Sequence, residues 1–389
     1  LPTPPSTIIL HPVKENPPVL SLYVLIAVAA MLAGLLLPFL FDTHPAVHVH
    51  VVFAIGVMPL IMAAMTHFVP VLTRSRAAGR VSRLPMLAVA GGVAIAVYLA
   101  WPVQPLWRGI AAGLALTACL WLIYWQWRRR QAALGGAHPG LDWYLAALIC
   151  LALGLLSILA MSLWPAQYPA LKRLHLHLNL FGFVGLTAVS TLQVLLPTAA
   201  GQGDPDAAQR LRSDLRLAFF GTLLIALGAA WWPWLSIAGI ALWLYPLARI
   251  ARAWGKRFRA AILARNGAAP LLAGALSGFV LSLMAGGAHA LAWLPGAHVG
   301  HLFVFAFLFP LLSGAAGQLL PLWLKPGAQT PWHETTRSRL TYASAARAAL
   351  FATAGLLALA GWSGSAAIAL AALLPFALVS LWTAIQSRR

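Results

Sequence analysis

Twelve uninterrupted apolar runs, each long enough to cross a bilayer at about 20 residues, set the limits on what this 389-residue chain can fold into. They lie near 18–40, 46–72, 84–101, 104–127, 141–163, 171–198, 215–231, 233–251, 270–292, 297–324, 340–361 and 364–384. The runs do not alternate polar and apolar residues, so they predict helices rather than barrel strands. Only 8% of residues are charged, against about 25% in soluble domains. The expected fold class is all-α, a polytopic membrane protein. Residues 1–17 are polar and Pro-rich and read as a tail; 18–389 reads as a single membrane domain.

A formal charge of +19 invites a nucleic-acid partner, and its distribution removes one. All basic residues except Arg108, Lys172 and Arg173 fall in the tails, in the loops that follow even-numbered runs, or in the ends of runs beside those loops. Basic residues are retained on the cytoplasmic side. Both termini are therefore expected in the cytoplasm, and the excess charge is a topology signal with some attraction to anionic lipid. Cys119 and Cys150 sit in apolar runs and read as small core residues, with no CxxC site or disulfide framework.

One stretch is written three times: HVHVVFAIGVMPLIMAAMTHFVPVL from His48, HLHLNLFGFVGLTAVSTLQVLLPTA from His175, and HVGHLFVFAFLFPLLSGAAGQLLPLW from His298. The closing prolines, Pro70, Pro197 and Pro321, stand 127 and 124 positions apart. This spacing predicts a triplication into three four-helix repeats, roughly 18–130, 141–252 and 270–389, arranged with pseudo-threefold symmetry. Twenty positions before each proline stands His50, His177 or His301; 22 before stands His48, His175 or Val299. Gly56, Gly182, Gly185, Gly314 and Gly317 lie on the same runs. They fit either close helix packing or clearance for a flat ligand.

Of the 12 histidines, His44, His48, His50, His175, His177, His289, His298 and His301 map to one membrane depth. One histidine on an apolar helix is usually a core residue; a repeated cluster at one depth is a functional candidate. Residues two apart on a helix point about 200° apart. His48 and His50 therefore serve opposite flanks of their helix, as do His175 and His177. A ring of the three motif helices then pairs His50 with His175 and His301 with His48. The remaining gap pairs His177 with Val299, so one ligand is missing there, and His298 or His289 is placed to fill part of it. Opposed imidazoles across an apolar gap suit a six-coordinate haem.

Specific residues carry a family resemblance. VMPLI at Val57–Ile61 and FVP at Phe68–Pro70, with the prolines eleven positions apart, resemble the second helix of haem–copper oxidase subunit I. In that family the histidine eleven residues before the first proline ligates the low-spin haem; that position is His48. The second histidine of the family's tenth-helix His-x-His holds the same haem; that position is His301. HLHLNLFGF from His175 also resembles the His-x-His-x-x-Leu-Phe-Gly-Phe of NnrS-type proteins, relatives associated with haem, copper and nitric-oxide stress. The departures are as informative. Val299 replaces the proximal histidine of the oxygen-reducing haem, Asn179 replaces the tyrosine of the sixth-helix His-x-x-x-Tyr, and AAWWPW replaces the His-His pair. The seven acidic residues all map to tails, loops or helix ends, whereas proton relays usually need one in mid-membrane.

The resemblance implies a haem b-binding redox protein that transfers electrons or handles a small diatomic gas such as nitric oxide, without a complete oxygen-reducing centre. One haem is expected on His48 and His301, and a second on His50 and His175. Lys172 and Arg173 are placed to meet propionates or to snorkel to the interface. Copper is a further candidate, with His177 and His298 added to the metal-ligand set. The expected partners are membrane lipid, an electron donor or small partner subunit, and the gas. The expected location is a bacterial inner membrane, with the histidines toward the periplasm. Two other classes compete. A non-catalytic copper or haem transfer protein would want sulfur ligands, and only Met58, Met62 and Met65 cluster, at another depth. A transporter would want two repeats and buried acids.

Overall fold

A computed structural model describes residues 19–387 apart from 43, 102, 103, 105 and 134. The tail at 1–17, with His11 and Glu15, lies outside the described residues. Twelve helices are long and apolar enough to cross a membrane, and no strand occurs among the described residues. They are α1 (Leu20–Leu40), α2 (Pro45–Leu72), α3 (Gly79–Ala100), α4 (Leu106–Gln131), α5 (Gly140–Leu163) and α6 (Pro165–Ala199). Then come α7 (Ala207–Ala230), α8 (Pro233–Arg257), α9 (Ala269–Ala290), α10 (Gly296–Leu324), α11 (Pro331–Leu359) and α12 (Ser365–Gln386).

Most boundaries follow the apolar runs, and where they differ charge is the reason. The polar stretch 201–214 reads as a loop, yet α7 begins at Ala207. Its Arg210 and Asp214 are buried and paired, so the helix continues past the apolar run. Likewise α4 runs through Arg128, Arg129 and Arg130, good helix formers that meet the negative end of the helix dipole in its last turn. The polar stretch 325–339 contains the first segment of α11, which breaks at Ala343, a left-handed residue at φ 48°.

Consecutive helices pack side by side, and α12 closes back against α1. The histidine-bearing helices α2, α6 and α10 are each flanked by their sequence neighbours. Two of them are the most enclosed in the molecule, with 83% of the α6 window and 72% of the α10 window buried, against 22% for α3.

All three motif helices share a feature that no residue pattern announces. Each turns from α to π geometry directly below its histidines: Val51–Val57 in α2, Leu178–Leu186 in α6 and Phe303–Leu308 in α10. Counted back from the closing prolines, the π segments begin at 19, 19 and 18 positions. Such segments are rare and concentrate at functional sites. Neighbouring backbones press against them. A Cβ on Gly92 of α3 would meet the Ala54 carbonyl, and one on Gly278 of α9 would meet the Ala306 carbonyl. The motif-helix glycines also serve helix packing. A Cβ would stand 2.9 Å from Ala30 at Gly56, 2.9 Å from Phe279 at Gly185 and 2.8 Å from Thr341 at Gly317.

The π segments meet through aromatic rings. Phe303 of α10 lies 6.2 Å from Phe53 of α2 and 6.0 Å from Phe181 of α6. Phe279 and Phe307 pack against it at 6.4 and 4.9 Å. These rings fill the space where the three helices approach.

Candidate functional site

The histidine-bearing segments Pro45–His50, Tyr168–His177 and Gly296–Leu302 are ordinary α-helix, so the angular argument for the paired histidines applies there. His48 and His301 are brought together. Both line one cavity of about 320 Å³ between α1, α2, α10 and the α11–α12 turn, within the size range of small-molecule sites. The walls are apolar: Met31, Leu35, Val52, Val304, Phe305 and Phe309. Val52 also fills the space that a Cβ on Gly34 would need. The His301 ring stacks on Phe305 at 5.7 Å and 20°. A second, more open cavity of about 410 Å³ shares His48, Pro38 and Phe39 and reaches Asp42.

His298 also lines the His48–His301 cavity, so of the two residues placed to fill the third gap it joins the first slot. Its ring packs on Gly361, which sits at φ 82° in the α11–α12 turn; a Cβ there would stand 3.0 Å from Cε1. Only glycine meets both demands without strain.

His50 and His175 are brought within electrostatic reach of each other, with Lys172 beside His50. His50 Nδ1 lies 2.7 Å from the Ala46 carbonyl, and His175 Nδ1 lies 2.9 Å from the Gly154 carbonyl of α5. A carbonyl only accepts, so each Nδ1 carries the hydrogen and each Nε2 keeps its lone pair. This carbonyl anchoring is the usual outer-shell support of a metal-bound imidazole. Asn179 donates to the His175 carbonyl at 2.7 Å rather than to the slot. Arg173 turns away, its Nη2 donating to the Ala230 carbonyl of α7 at 3.4 Å.

His177 shows the same anchoring, Nδ1 to the Arg173 carbonyl at 2.8 Å, and stacks on Phe181. Its electrostatic neighbour is His289, at the end of α9, with Nδ1 2.8 Å from the Leu294 carbonyl. Val299 is packed against the small apolar cluster of Ala285, Leu302 and Ala306.

The other histidines do different work. His44 accepts the Ala46 N–H at 3.1 Å and so caps α2. His333 accepts from Thr330 N at 3.0 Å and donates to the Lys325 carbonyl at 2.8 Å, which uses both ring nitrogens. His67 lies edge-on to Trp323 at 5.9 Å, at the opposite end of α2 from His48. Met62 and Met65 are fully buried, and Met65 Sδ accepts from Gln126 at 3.5 Å. Gln193 accepts from Arg210 at 3.2 Å, a structural tie. Among the described residues no three His, Cys, Asp or Glu side chains gather into a metal-holding group.

Compared with models of known protein families the chain matches none, and no curated protein is significantly similar to it.

Proposed function

We propose that this chain is a haem b-binding integral membrane redox protein that transfers electrons or handles a small diatomic gas. The single observation that carries the reading is the apolar cavity shared by His48 of α2 and His301 of α10. These are the two residues that the resemblance to haem–copper oxidase subunit I assigns to one iron. The residues fit the group in kind: two imidazoles and greasy walls. Bound there, haem would supply a one-electron couple, and holding by two histidines would suit electron transfer better than gas binding.

The chain's own residues hold and shield such a group. His48 and His301 reach in from different helices, so both must be in place at once. Phe305, stacked on His301, limits the ring's rotation. Met31, Val304 and Phe309 exclude water, which favours the less charged redox state. His50 and His175 form the candidate for a second haem, with Lys172 near enough to meet an anionic group. The proposal includes three four-helix repeats, supported by the common register of the π segments. It also places both termini in the cytoplasm of a bacterial cell, from the loop charges.

The test is a reduced-minus-oxidised spectrum of the purified full-length chain, with haem counted per polypeptide. A b-type band that disappears in His48→Leu and in His301→Leu is the expected result. No band in wild-type protein, or a band untouched by both substitutions, overturns the reading. Stoichiometric copper with no haem would favour a transfer protein instead.

A further inference from the structure

Two arginines are buried among the described residues, Arg210 and Arg347. Arg210 has its carboxylate in Asp204. Arg347 is buried to the same degree, yet among the described residues no Asp or Glu pairs with it. Its Nε donates to the Ala372 carbonyl of α12 at 3.0 Å, and its Nη1 donates to the Leu340 carbonyl at 3.1 Å, where α11 breaks. The guanidinium lies over the Phe376 ring at 5.2 Å. We propose that this fixed positive charge sets the field in the His48–His301 cavity and raises the reduction potential of the haem held there.

Placement, fixity and sign support the assignment. Ala358 of α11 lines the cavity, and Arg347 stands eleven residues further in on the same helix. Eleven residues at about 100° each make three turns and about 20°, so both lie on one face. Phe351, between the two on α11, packs edge-on at 5.9 Å against Phe309 of the cavity wall. Ala366 of α12 also lines the cavity, and Ala372, which accepts from Arg347, is six residues further in, about 9 Å along the axis. The charge therefore lies behind the apolar inner wall, where screening is weak. Nη2 has no hydrogen-bond partner and no exposed surface, so the group is packed in place rather than open to a bound anion. Haem held by two neutral imidazoles loses one unit of positive charge on reduction, so a cation nearby stabilises the reduced form. An unpaired buried cation is costly, and an ionisable residue at membrane depth is a functional candidate by default.

The inference rests on the haem reading above. The experiment is a mediated redox titration of the purified full-length chain, following the b-type band that His48→Leu removes. Arg347→Gln, which removes the charge, should lower the midpoint and so cut the ratio of reduced to oxidised haem at a fixed potential severalfold. Arg347→Lys keeps the charge and should stay close to wild type. Phe376→Leu disturbs the packing under the guanidinium, keeps the charge, and should also stay there. Ser380→Asp sets a carboxylate one turn along α12 from Phe376, in place of a buried hydroxyl that has no partner. It should lower the midpoint with Arg347 still present, which keeps the test open if Arg347→Gln does not fold. Haem per chain should be the same in all four variants. A wild-type midpoint in both Arg347→Gln and Ser380→Asp overturns this inference and leaves the haem reading standing. A midpoint lowered as far in Phe376→Leu as in Arg347→Gln also overturns it, because loosened packing would then be the cause. No b-type band in the wild type overturns the haem reading and this inference together.

Discussion

At the end of the bundle where the basic loops lie, Asp204 accepts Arg210 at 2.5 Å and Arg257 at 2.9 Å, and Arg210 also donates to Gln193. Asp214 pairs with Arg249 and Arg130 pairs with Asp142 at that same end. At the other end, His50, His175, His177 and His289 each use one ring nitrogen on a backbone carbonyl and present the second. Both regions keep polar groups in an apolar surrounding. One pairs its charges with each other, which binds α6, α7 and α8 together. The other holds each imidazole by one nitrogen and leaves the second over. Buried charges persist where they are paired, so the histidine end is where a ligand is wanted and the ion-paired end is where stability resides.

Substitutions can separate these roles, and the largest effect is expected at Asp204. Asp204→Asn leaves Arg210 and Arg257 without their shared carboxylate, and breaking a buried pair costs about 3–5 kcal/mol. Thermal unfolding in detergent should show that loss with the haem band intact. His48→Leu should do the reverse, removing the band at under about 1 kcal/mol. If His48→Leu destabilised the fold as much as Asp204→Asn, the division between the ends would fail.

Acid should act on the ion-paired end first. Burial works against the Asp204 charge, but the hydrogen bond and charge of Arg210, with help from Arg257, hold its carboxyl below the usual aspartate range. A depressed carboxylate contributes stability that is present above its unfolded value of about 3.9 and lost as pH falls through the folded value. Melting temperature should therefore drop below about pH 4 in wild type, and less steeply in Asp204→Asn.

A smaller effect tests the π segments. Gly278→Ala sets a methyl on the Ala306 carbonyl and should cost about 1–3 kcal/mol through overpacking. Gly286→Ala on the same helix meets nothing within 4 Å and should gain up to about 1 kcal/mol from helix propensity. Smallest is His138→Gln. Its Nδ1 accepts the Gly140 N–H at 3.1 Å, a bond worth about 1 kcal/mol, and neither metal nor haem content should change.

The spans were legible because hydrophobicity is local, and so were the opposed directions of neighbouring histidines, because helical geometry is local too. The run at 141–163 became Gly140–Leu163, and a 200° separation needs only intact α-helix. The extension of α7 to Ala207 was not legible, because Arg210 and Asp214 look like loop residues until their partners are known. The π segments left one trace, the constant spacing from histidine to proline. An α-helix of that spacing reads identically, so the trace does not announce itself.

The packing of Phe303 against both Phe53 and Phe181 has a consequence for traffic through the molecule. With aromatic faces meeting where a central pore would run, nothing water-soluble travels from one slot to the next along the middle. Vesicles carrying this protein should therefore keep an imposed proton gradient as long as empty ones do.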